Sequence, residues 1–418
     1  MIEKRLIDIS RNISSGITPL RSNDEFWTDG TIPWLKTEQL GEKYIFDTNE
    51  YITEKALQEA NVKLFPENTL SIAMYGEGKT RGNVSILKRP MATNQACCNI
   101  ELDAEKVSSE YVYYFLKTQY ENLRGLSSGI RKNLNTNDIK NFVIRLPENL
   151  KTQQSIAAVL SALDKKIALN KQINARLEEM AKTLYDYWFV QFDFPDANGK
   201  PYKSSGGDMV FDETLKREIP KGWEVKSLGE VISLERGVTY SKDSICNDEN
   251  GTGVLRATNI SGNNIDLNDL IYISGEVGTQ QKLKPFDILI VMSSGSKEHI
   301  GKNGVYYFEQ DNAFGAFCSK ITPKKVFFEF VSIFLQSNNF RNYVKNQCLG
   351  TNINNLNNSH ILHCPIVRPN DEYIEVFHKQ IKLIYEKISC NVKQNHQLTQ
   401  LRDFLLPMLM NGQVSVAE

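Results

Sequence analysis

The 418-residue sequence has few of the features that mark membrane, secreted or metal-binding proteins. No apolar run reaches the roughly 20 residues that a membrane-spanning helix needs, and residues 1–10 are amphipathic rather than a signal peptide. The seven cysteines form no C-x-x-C pair, so neither a zinc ribbon nor a disulfide framework is indicated. We therefore expect a cytoplasmic protein with reduced, mostly buried thiols and no membrane contact.

Motifs for catalysis and for cofactor binding are also missing. The sequence has no G-x-G-x-x-G, no G-x-x-x-x-G-K-[ST], and no Asn or Asp followed by two prolines and an aromatic residue, as in amino-methyltransferases. His360 and His363 have the spacing of helical metal ligands, but their surroundings favour a turn that leads into a strand. Glu224-Val225-Lys226 has the Glu-x-Lys ending of some nuclease motifs, but an exposed strand pair is the better explanation of these residues. We expect no cofactor, no metal and no catalysis by this chain.

Charge is balanced over the whole chain but not within its parts. The 49 Lys and Arg face 50 Asp and Glu, which gives a formal net charge of -1. Residues 60–147 contain 12 basic and 8 acidic side chains, and residues 276–368 contain 10 and 6, so each segment carries +4. A polyanion such as DNA would have to be bound locally by these two segments.

The sequence repeats itself once, at an offset of about 220 residues. Trp34-Leu35-Lys36 aligns with Val254-Leu255-Arg256, and Asn94 aligns with Asn312. The register is firmest at the end of each copy, where Lys166, Ile167, Asn170 and Asn174 fall on Lys387, Ile388, Asn391 and Asn395. Collinear matches over a whole half-chain indicate a duplication, and so two equivalent halves.

Each half is predicted to contain a mixed globular part followed by one long helix, which is an α+β fold class. Short apolar runs rich in β-branched and aromatic residues predict strands at 32–35, 69–74, 83–87, 287–292 and 304–308. Aromatic residues at helical spacing predict one shorter helix in each half, at 109–120 and 327–338.

The long helices carry the strongest pattern in the sequence. Apolar residues and asparagines recur at steps of three and four, which predicts a narrow coiled-coil seam formed by Ile156, Leu160, Leu163, Ile167, Asn170, Asn174 and Leu177 in one helix and by Ile381, Ile384, Ile388, Asn391, Asn395 and Leu398 in the other. Arg402 interrupts the second stripe. Asparagines in a seam fix its register, because a misaligned pair would bury unpaired amides. The alternative is that these asparagines face solvent.

The helices are predicted to act as a spacer. A helix over 156–184 is about 43 Å long at 1.5 Å per residue. Two seams in one chain favour an antiparallel pair within the monomer, with the globular parts at opposite ends and related by a pseudo-twofold axis. Duplex DNA is a partner of that length and symmetry.

Two pairs of polar loops recur at matching positions and are the candidate DNA-reading surfaces. They are 75–83 with 293–299, and 127–133 with 349–355. Together with flanking residues they supply the predicted DNA-binding set, which is Lys36, Tyr75, Lys79, Arg81, Asn94, Arg131, Lys132, Asn133, Arg256, Ser294, Ser296, Lys297, Lys302, Asn312, Thr351, Asn352 and Asn354. Lysine and arginine contact phosphates, and amides and hydroxyls read base edges. Each loop taken alone is equally explained as an ordinary solvated hairpin.

These residues resemble the specificity subunits of type I restriction-modification systems over essentially the whole chain. The phrase Ile219-Pro220-Lys221-Gly222-Trp223 is similar to the opening of the family's target-recognition domains, and Pro147 followed by Gln153-Gln154-Ser155-Ile156 is similar to the entry to its central conserved helix. Leu401-Arg402-Asp403-Phe404-Leu405-Leu406-Pro407 resembles its distal conserved region. The first half lacks the Pro-Lys-Gly-Trp opening, which is a departure from the pattern.

The resemblance implies a division into six segments. They are a first target-recognition domain at 1–148, a central conserved helix at 149–187, a linker at 188–222, a second target-recognition domain at 223–369, a distal conserved helix at 370–406 and a tail at 407–418. It also implies the partners: double-stranded DNA read as two half-sites, two modification (methyltransferase) subunits docked on the helices, and restriction subunits that join through the complex. The chain itself is then not an enzyme.

Other functions remain open at this point. The chain could be a stand-alone coiled-coil adaptor, or a DNA-binding protein without a modification partner. A self-sufficient DNA methyltransferase or nuclease is a third possibility, against which the missing cofactor motifs argue.

Overall fold

The computed structural model describes residues 1–76, 80–126, 133–247, 251–296, 298–348 and 354–416, with Asn354 described by its backbone alone. The chain divides into two compact units, the first formed by Met1–Ile167 and Leu398–Glu418 and the second by Ala168–Gln397. Within the described ranges, no helix is both long enough and apolar enough to span a membrane.

The first unit combines short strands and helices with the start of one long helix. Its strands are β1 Ile2–Arg5, β2 Ser10–Ser15, β3 Ile32–Leu35, β4 Tyr44–Ile45, β5 Glu50–Ile52, β6 Leu70–Ala73, β7 Val84–Leu87, β8 Ala92–Thr93, β9 Cys97–Leu102 and β10 Val143–Leu146. Its helices are α1 Glu54–Glu59, α2 Ser109–Thr118, α3 Tyr120–Gly125, α4 Thr136–Lys140 and the first part of α5 Leu150–Tyr185.

The second unit contains the end of α5 and most of the second long helix. Its strands are β11 Met209–Asp212, β12 Arg217–Pro220, β13 Glu224–Ser227, β14 Ile232–Arg236, β15 Ile245–Cys246, β16 Thr252–Leu255, β17 Ile260–Ser261, β18 Asn264–Ile265, β19 Ile271–Ile273, β20 Ile288–Val291, β21 Ser293–Ser294, β22 Asn303–Val305, β23 Ala313–Phe314, β24 Cys318–Pro323, β25 Asn354–Asn355 and β26 Pro365–Arg368. Its other helices are α6 Phe328–Gln336, α7 Asn338–Gln347, α8 Asn358–Leu362 and α9 Asp371–Met410.

The same sheet topology occurs in both units. The main sheet has the order β2-β9-β6-β7-β4 in the first unit and β14-β24-β20-β22-β18-β17 in the second. A smaller sheet has the order β5-β3-β8 in the first and contains β19-β16-β23 in the second, and β1-β10 corresponds to β13-β26. The prediction of two similar mixed globular parts is therefore confirmed at the level of strand order.

The predicted strands and helices are present with changed ends. Strands β6, β7 and β20 are buried on both faces. The sequence of β20 is accordingly a continuous apolar run, whereas β6 and β7 each include one buried serine, Ser71 and Ser85. The strand predicted at 304–308 ends at Val305, and the helix predicted at 327–338 ends at Gln336. Helix α9 includes Pro407 and continues to Met410, whereas we predicted that it ends at 406.

Four cysteine side chains are buried, and these are Cys97, Cys98, Cys318 and Cys364. Burial raises the pKa of each of these thiols to about 12. They therefore pack as small apolar side chains and stay protonated at neutral pH.

The hydrogen-bond register corrects one pair in the sequence repeat. Leu35 pairs with Thr93 and Leu255 pairs with Phe314 in equivalent parallel strands. The residue after each of these partners donates its backbone N–H across the strands. Asn94 donates to the carbonyl of Leu35, and Gly315 donates to the carbonyl of Leu255, at 2.9 Å in both units. Asn94 thus corresponds to Gly315 and not to Asn312, because the two halves have loops of different length before this strand.

Residues 188–222, which we assigned as a linker, fold into the core of the second unit. Trp188, Phe189 and Phe194 are at most 5% exposed. The ring of Phe194 stacks on that of Trp223 at 4.6 Å, and β11 and β12 form an antiparallel hairpin. Because buried aromatic rings contribute much of a core's stability, this segment is a packed part of the unit and not a flexible connector.

Candidate nucleic-acid interface

The described ends of the two loops predicted in the first half meet in the first unit. The backbone N–H of Leu134, at the end of the second loop, donates to the carbonyl of Met74, at the start of the first, at 3.1 Å. In the second unit, Leu356 donates to Met292 in the same way at 2.8 Å. In each unit, described ends of two loops that are about 50 residues apart in sequence therefore lie together beyond the end of a central strand of the main sheet, β6 or β20. We call these two candidate surfaces the first and the second reading edge.

Part of each loop lies outside the described residues. This applies to 77–79, 127–132, 297 and 349–353. The predicted DNA contacts Lys79, Arg131, Lys132, Lys297, Thr351 and Asn352 belong to these stretches, and they remain predictions.

A short helix anchors the second loop in each unit. Asn135 Oδ1 accepts the N–H of Asp138 at 2.9 Å at the start of α4, and Asn357 Oδ1 accepts the N–H of His360 at 2.9 Å at the start of α8. Satisfying the free N–H groups of the first turn in this way fixes where the loop ends. The loops are therefore attached to ordered structure at the same point in both units.

His360 lies on α8 and His363 directly follows this helix, so the expected turn before β26 is a short helix. His363 Nδ1 is 2.8 Å from the carbonyl oxygen of Ser359, and the ring of His360 lies beside Asn357. In the part of the chain that the structure describes, no three His, Cys, Asp or Glu side chains come together as metal ligands would. Glu224 and Lys226 form an ion pair of 2.9 Å on strand β13, as the strand-pair explanation of this motif expects.

The described part of the first reading edge presents Tyr75, Arg81 and Asn133. Tyr75 is 40% exposed, and Arg81 and Asn133 are half-buried. Gly82 has φ +88°, and a Cβ there would lie 3.2 Å from Arg124 Cγ, so the returning chain passes close to α3. The left-handed backbone conformation favours glycine at this point.

The second reading edge is lined by hydroxyls and amides. Strand β21 pairs with β25, and Ser293 Oγ donates to Asn355 Oδ1 at 2.5 Å. Ser294 Oγ accepts the N–H of Ser296 at 3.2 Å, and Lys302 lies half-buried on the returning chain. The two edges thus share a position in the fold but differ in chemistry.

Four other predicted contacts have partners inside the protein. Lys36 Nζ lies 2.9 Å from Glu38 and 2.5 Å from Glu50, and its hydrogen bonds to these carboxylates raise the pKa of Lys36. Arg256 forms an ion pair of 3.2 Å with Asp269. Asn312 is 7% exposed and donates its amide to Tyr306 Oη at 3.0 Å. Asn94 is half-buried, and its Oδ1 accepts the N–H of Ala96.

The seam asparagines are buried in the second unit, so the alternative that they face solvent is wrong for Asn170, Asn174 and Asn391. These three are 1%, 6% and 2% exposed. Asn391 Nδ2 donates to Asn174 Oδ1 at 2.8 Å, and Asn170 Nδ2 donates to Asn395 Oδ1 at 2.9 Å. The apolar seam residues are buried or half-buried in both units. They are Ile156, Leu160, Leu163, Ile167 and Leu398 in the first unit, and Leu177, Ile381, Ile384 and Ile388 in the second.

We expect Asn174→Leu to lower the free energy of unfolding by about 1–3 kcal/mol, because it leaves the amide of Asn391 buried without its acceptor. The double variant Asn174→Leu/Asn391→Leu should recover most of this loss, since two apolar side chains then face each other. Urea denaturation followed by circular dichroism measures both effects.

Gln172→Leu on the exposed side of α5 is the matched control and should change the free energy of unfolding by less than about 0.5 kcal/mol. A single variant as stable as the wild type would contradict the pairing.

Sequence reasoning missed the polar contacts that attach the long helices to the globular parts. In the first unit, the buried Lys43 donates to Ser161 Oγ at 2.6 Å and to Tyr114 Oη at 2.9 Å, and burial lowers the pKa of Lys43. Arg402 Nη1 donates to Asp164 Oδ1 at 3.0 Å, which explains why a charge interrupts the apolar stripe. That interruption was the only signal of this network in the sequence.

The second unit has its own contact of this kind. His378 Nδ1 on α9 lies 2.7 Å from Glu329 Oε2 on α6. Burial raises the pKa of Glu329, although the hydrogen bond from His378 opposes the shift. A further residue that sequence reasoning missed is Phe317, which is 69% exposed beside the second reading edge. The local sequence gives no signal of this exposure.

Comparisons with known proteins agree with this arrangement. A family model described as the type I restriction modification DNA specificity domain matches residues 3–179 and 220–400, once in each half. The type I restriction enzyme MjaIX specificity subunit of Methanocaldococcus jannaschii is 30% identical over 424 residues, which cover 99% of this chain and 94% of the relative. The HindI specificity subunit of Haemophilus influenzae is 24% identical over 75% of this chain and 79% of its own length.

A solved structure shows the same fold. The crystal structure of the S subunit of a type I restriction-modification system from M. genitalium matches with a TM-score of 0.54 and 16% identity. The match covers 98% of this chain and 95% of that one.

Proposed function

The chain belongs to the type I restriction-modification DNA specificity family, and we propose on this premise that each of its two units reads one half of a two-part DNA target. The observation that carries the proposal is the repeated reading edge, held by Leu134 and Met74 in one unit and by Leu356 and Met292 in the other. The two reading edges occupy the same place in the fold but carry different side chains, and this suits two half-sites of different sequence.

Phosphate and base contacts would be divided within each edge. The +4 balance of residues 60–147 and of 276–368 supplies cations for the DNA backbone. Tyr75, Arg81 and Asn133 in the first unit, and Ser294, Ser296 and Lys302 in the second, are the described residues that we propose as DNA contacts. We also keep as proposed DNA contacts four residues that flank these edges, which are Asn354, Lys36, Asn94 and Arg256. We leave out Asn312, because it is only 7% exposed and its amide donates to Tyr306.

We further propose that α5 and α9 pair as an antiparallel coiled coil that sets the distance between the half-sites. In the second unit, Asn170 contacts Asn395 and Asn174 contacts Asn391, so residue numbers rise along one helix while they fall along the other. Helices of 36 and 40 residues are about 54 and 60 Å long. Such a pair would place the target-recognition domains, 1–148 and 223–369, about a pseudo-twofold axis.

The partners proposed for this chain are two methyltransferase subunits, with restriction subunits that join through them in the cytoplasm. Both long helices carry exposed apolar side chains, which are Leu169, Met180, Leu383, Leu401 and Phe404. Apolar residues exposed on a spacer helix suit the docking of another protein. In this proposal the chain contributes recognition, and the methyltransferase subunits contribute the chemistry.

Binding of duplex DNA by the purified complex of chain and methyltransferase subunits tests the proposal. We expect target duplexes to bind more tightly than scrambled ones, and the logarithm of the affinity to fall linearly with the logarithm of salt concentration. A coiled-coil adaptor without DNA function would show neither effect. Adenosylmethionine binding to the chain alone would instead indicate a self-sufficient methyltransferase.

A further inference from the structure

Phe317 is the most exposed aromatic residue that the structure describes within residues 223–369, with 69% of its surface accessible. It lies in the turn between β23 and β24, and its two neighbours in the core, Phe314 and Cys318, are at most 1% exposed. An exposed phenylalanine between buried anchors is held out from the protein and does not pack on it.

The backbone of Phe317 is fixed at the second reading edge. Its carbonyl accepts the N–H of Met292 at 2.8 Å and the N–H of Ser293 at 3.2 Å. Met292 is also the residue whose carbonyl accepts the N–H of Leu356, at the point where the two loops meet. The ring is therefore presented from a hydrogen-bonded backbone beside the described ends of both loops, which limits the conformational entropy lost on binding.

The surroundings of Phe317 are polar. Ser293 bonds to Asn355, and Ser319 Oγ donates to Asn358 Oδ1 at 3.4 Å, so hydroxyls and amides of β21, β24, β25 and α8 face one another here. Such groups read base edges in the major groove, where the 5-methyl group of thymine is the one apolar feature that distinguishes a base pair. Phenylalanine contacts that methyl group favourably.

The first unit has no such aromatic at the equivalent position. Met74 donates its N–H to the carbonyl of Ala96 at 2.8 Å, as Met292 does to Phe317, and Ala96 is 9% exposed. At this position, therefore, only the second unit presents an exposed aromatic ring.

We propose that Phe317 is a specificity-determining residue that contacts a thymine 5-methyl group in the half-site read by the second unit. The proposal rests on the DNA-reading function proposed above and adds an apolar contact to it. It requires at least one A·T pair in that half-site.

The test uses the complex of full-length chain and methyltransferase subunits with a fluorescent duplex that contains its target. We expect Phe317→Ala to weaken target binding about tenfold and to relax the preference at one position of one half-site only. Replacing each thymine of that half-site by uracil in turn should weaken wild-type binding about threefold at one position, because one methyl contact is lost. The same replacement should have no effect on the Phe317→Ala complex.

Phe211→Ala is the matched control, because Phe211 is 55% exposed on the β11–β12 hairpin, which forms a separate sheet and is not part of the reading edge, and this variant should bind like wild type. Equal affinity and equal base preference of Phe317→Ala and wild type would overturn the proposal, as would a half-site without any A·T pair. A uracil scan in which no position separates the two proteins would also overturn it. Wild-type preference for target over scrambled duplex in the same assay would show that the proposed DNA-reading function itself holds.

Discussion

Exchanging residues 1–146 for the equivalent segment of a family member with another target should change one half of the methylated sequence completely and leave the other half unchanged. The segment is a natural unit of exchange, because β1 pairs with β10 along Ile2–Arg5 and Val143–Leu146 and so closes it at both ends. The second reading edge lies in residues 168–397 and is not altered. Sequencing of methylated genomic DNA measures both half-sites at once.

The exchange has to preserve the contacts between the segment and α5. Lys43, Glu110 and Tyr114 form the polar network with Ser161 and Asp164, so the donor should keep these residue types. The reciprocal exchange of 223–369, which β13 and β26 close in the same way, is the matched control and should change only the other half-site. A change in both half-sites after either exchange would contradict modular reading.

Insertion of seven residues into each long helix, after Ile167 and after Gln397, should lengthen the gap between the half-sites by one to three base pairs. These are the points at which the chain passes from one unit to the other, so contacts within each unit are preserved. Seven residues add about 10 Å, which is the length of about three base pairs of DNA. Smaller increments need less rotation of the second half-site about the duplex axis, because B-DNA completes a turn in about 10 base pairs.

The phase of the insertion provides the control. Seven residues are close to two helical turns and keep the seam on the same face, whereas five residues turn it by about 140°. The five-residue insertion should therefore abolish modification, and the seven-residue insertion should retain it at the longer gap. An unchanged gap after the seven-residue insertion would remove the helices from the spacing role.

The sequence predicted those features that depend on periodicity and repetition. The steps of three and four place Asn174 on the apolar stripe of α5 and Asn391 on that of α9, and this spacing arises from the helix itself, so the burial of both residues could be anticipated. The matching polar loops were also found, because duplication marks a position twice. Their meeting through Met74 and Leu134 was not predictable, since it depends on the register of strands that are distant in sequence.

The features that were missed depend on tertiary context. Asn312 looks like a base-reading amide in sequence, but its loop turns inward and bonds it to Tyr306. The aromatic residues of 188–222 lack a helical or strand period, so their packing around Trp223 left no pattern. Phe317 was missed for a similar reason, because exposure of a side chain in a turn is decided by the strands on either side and not by local sequence.

The most direct test of two reading units at a fixed distance is methylome sequencing of cells that express this chain with its methyltransferase partner. We predict two short, different sequence elements separated by a gap of unspecified bases whose length is the same at every modified site. A single uninterrupted methylated sequence, or two elements separated by gaps of varying length, would contradict this account.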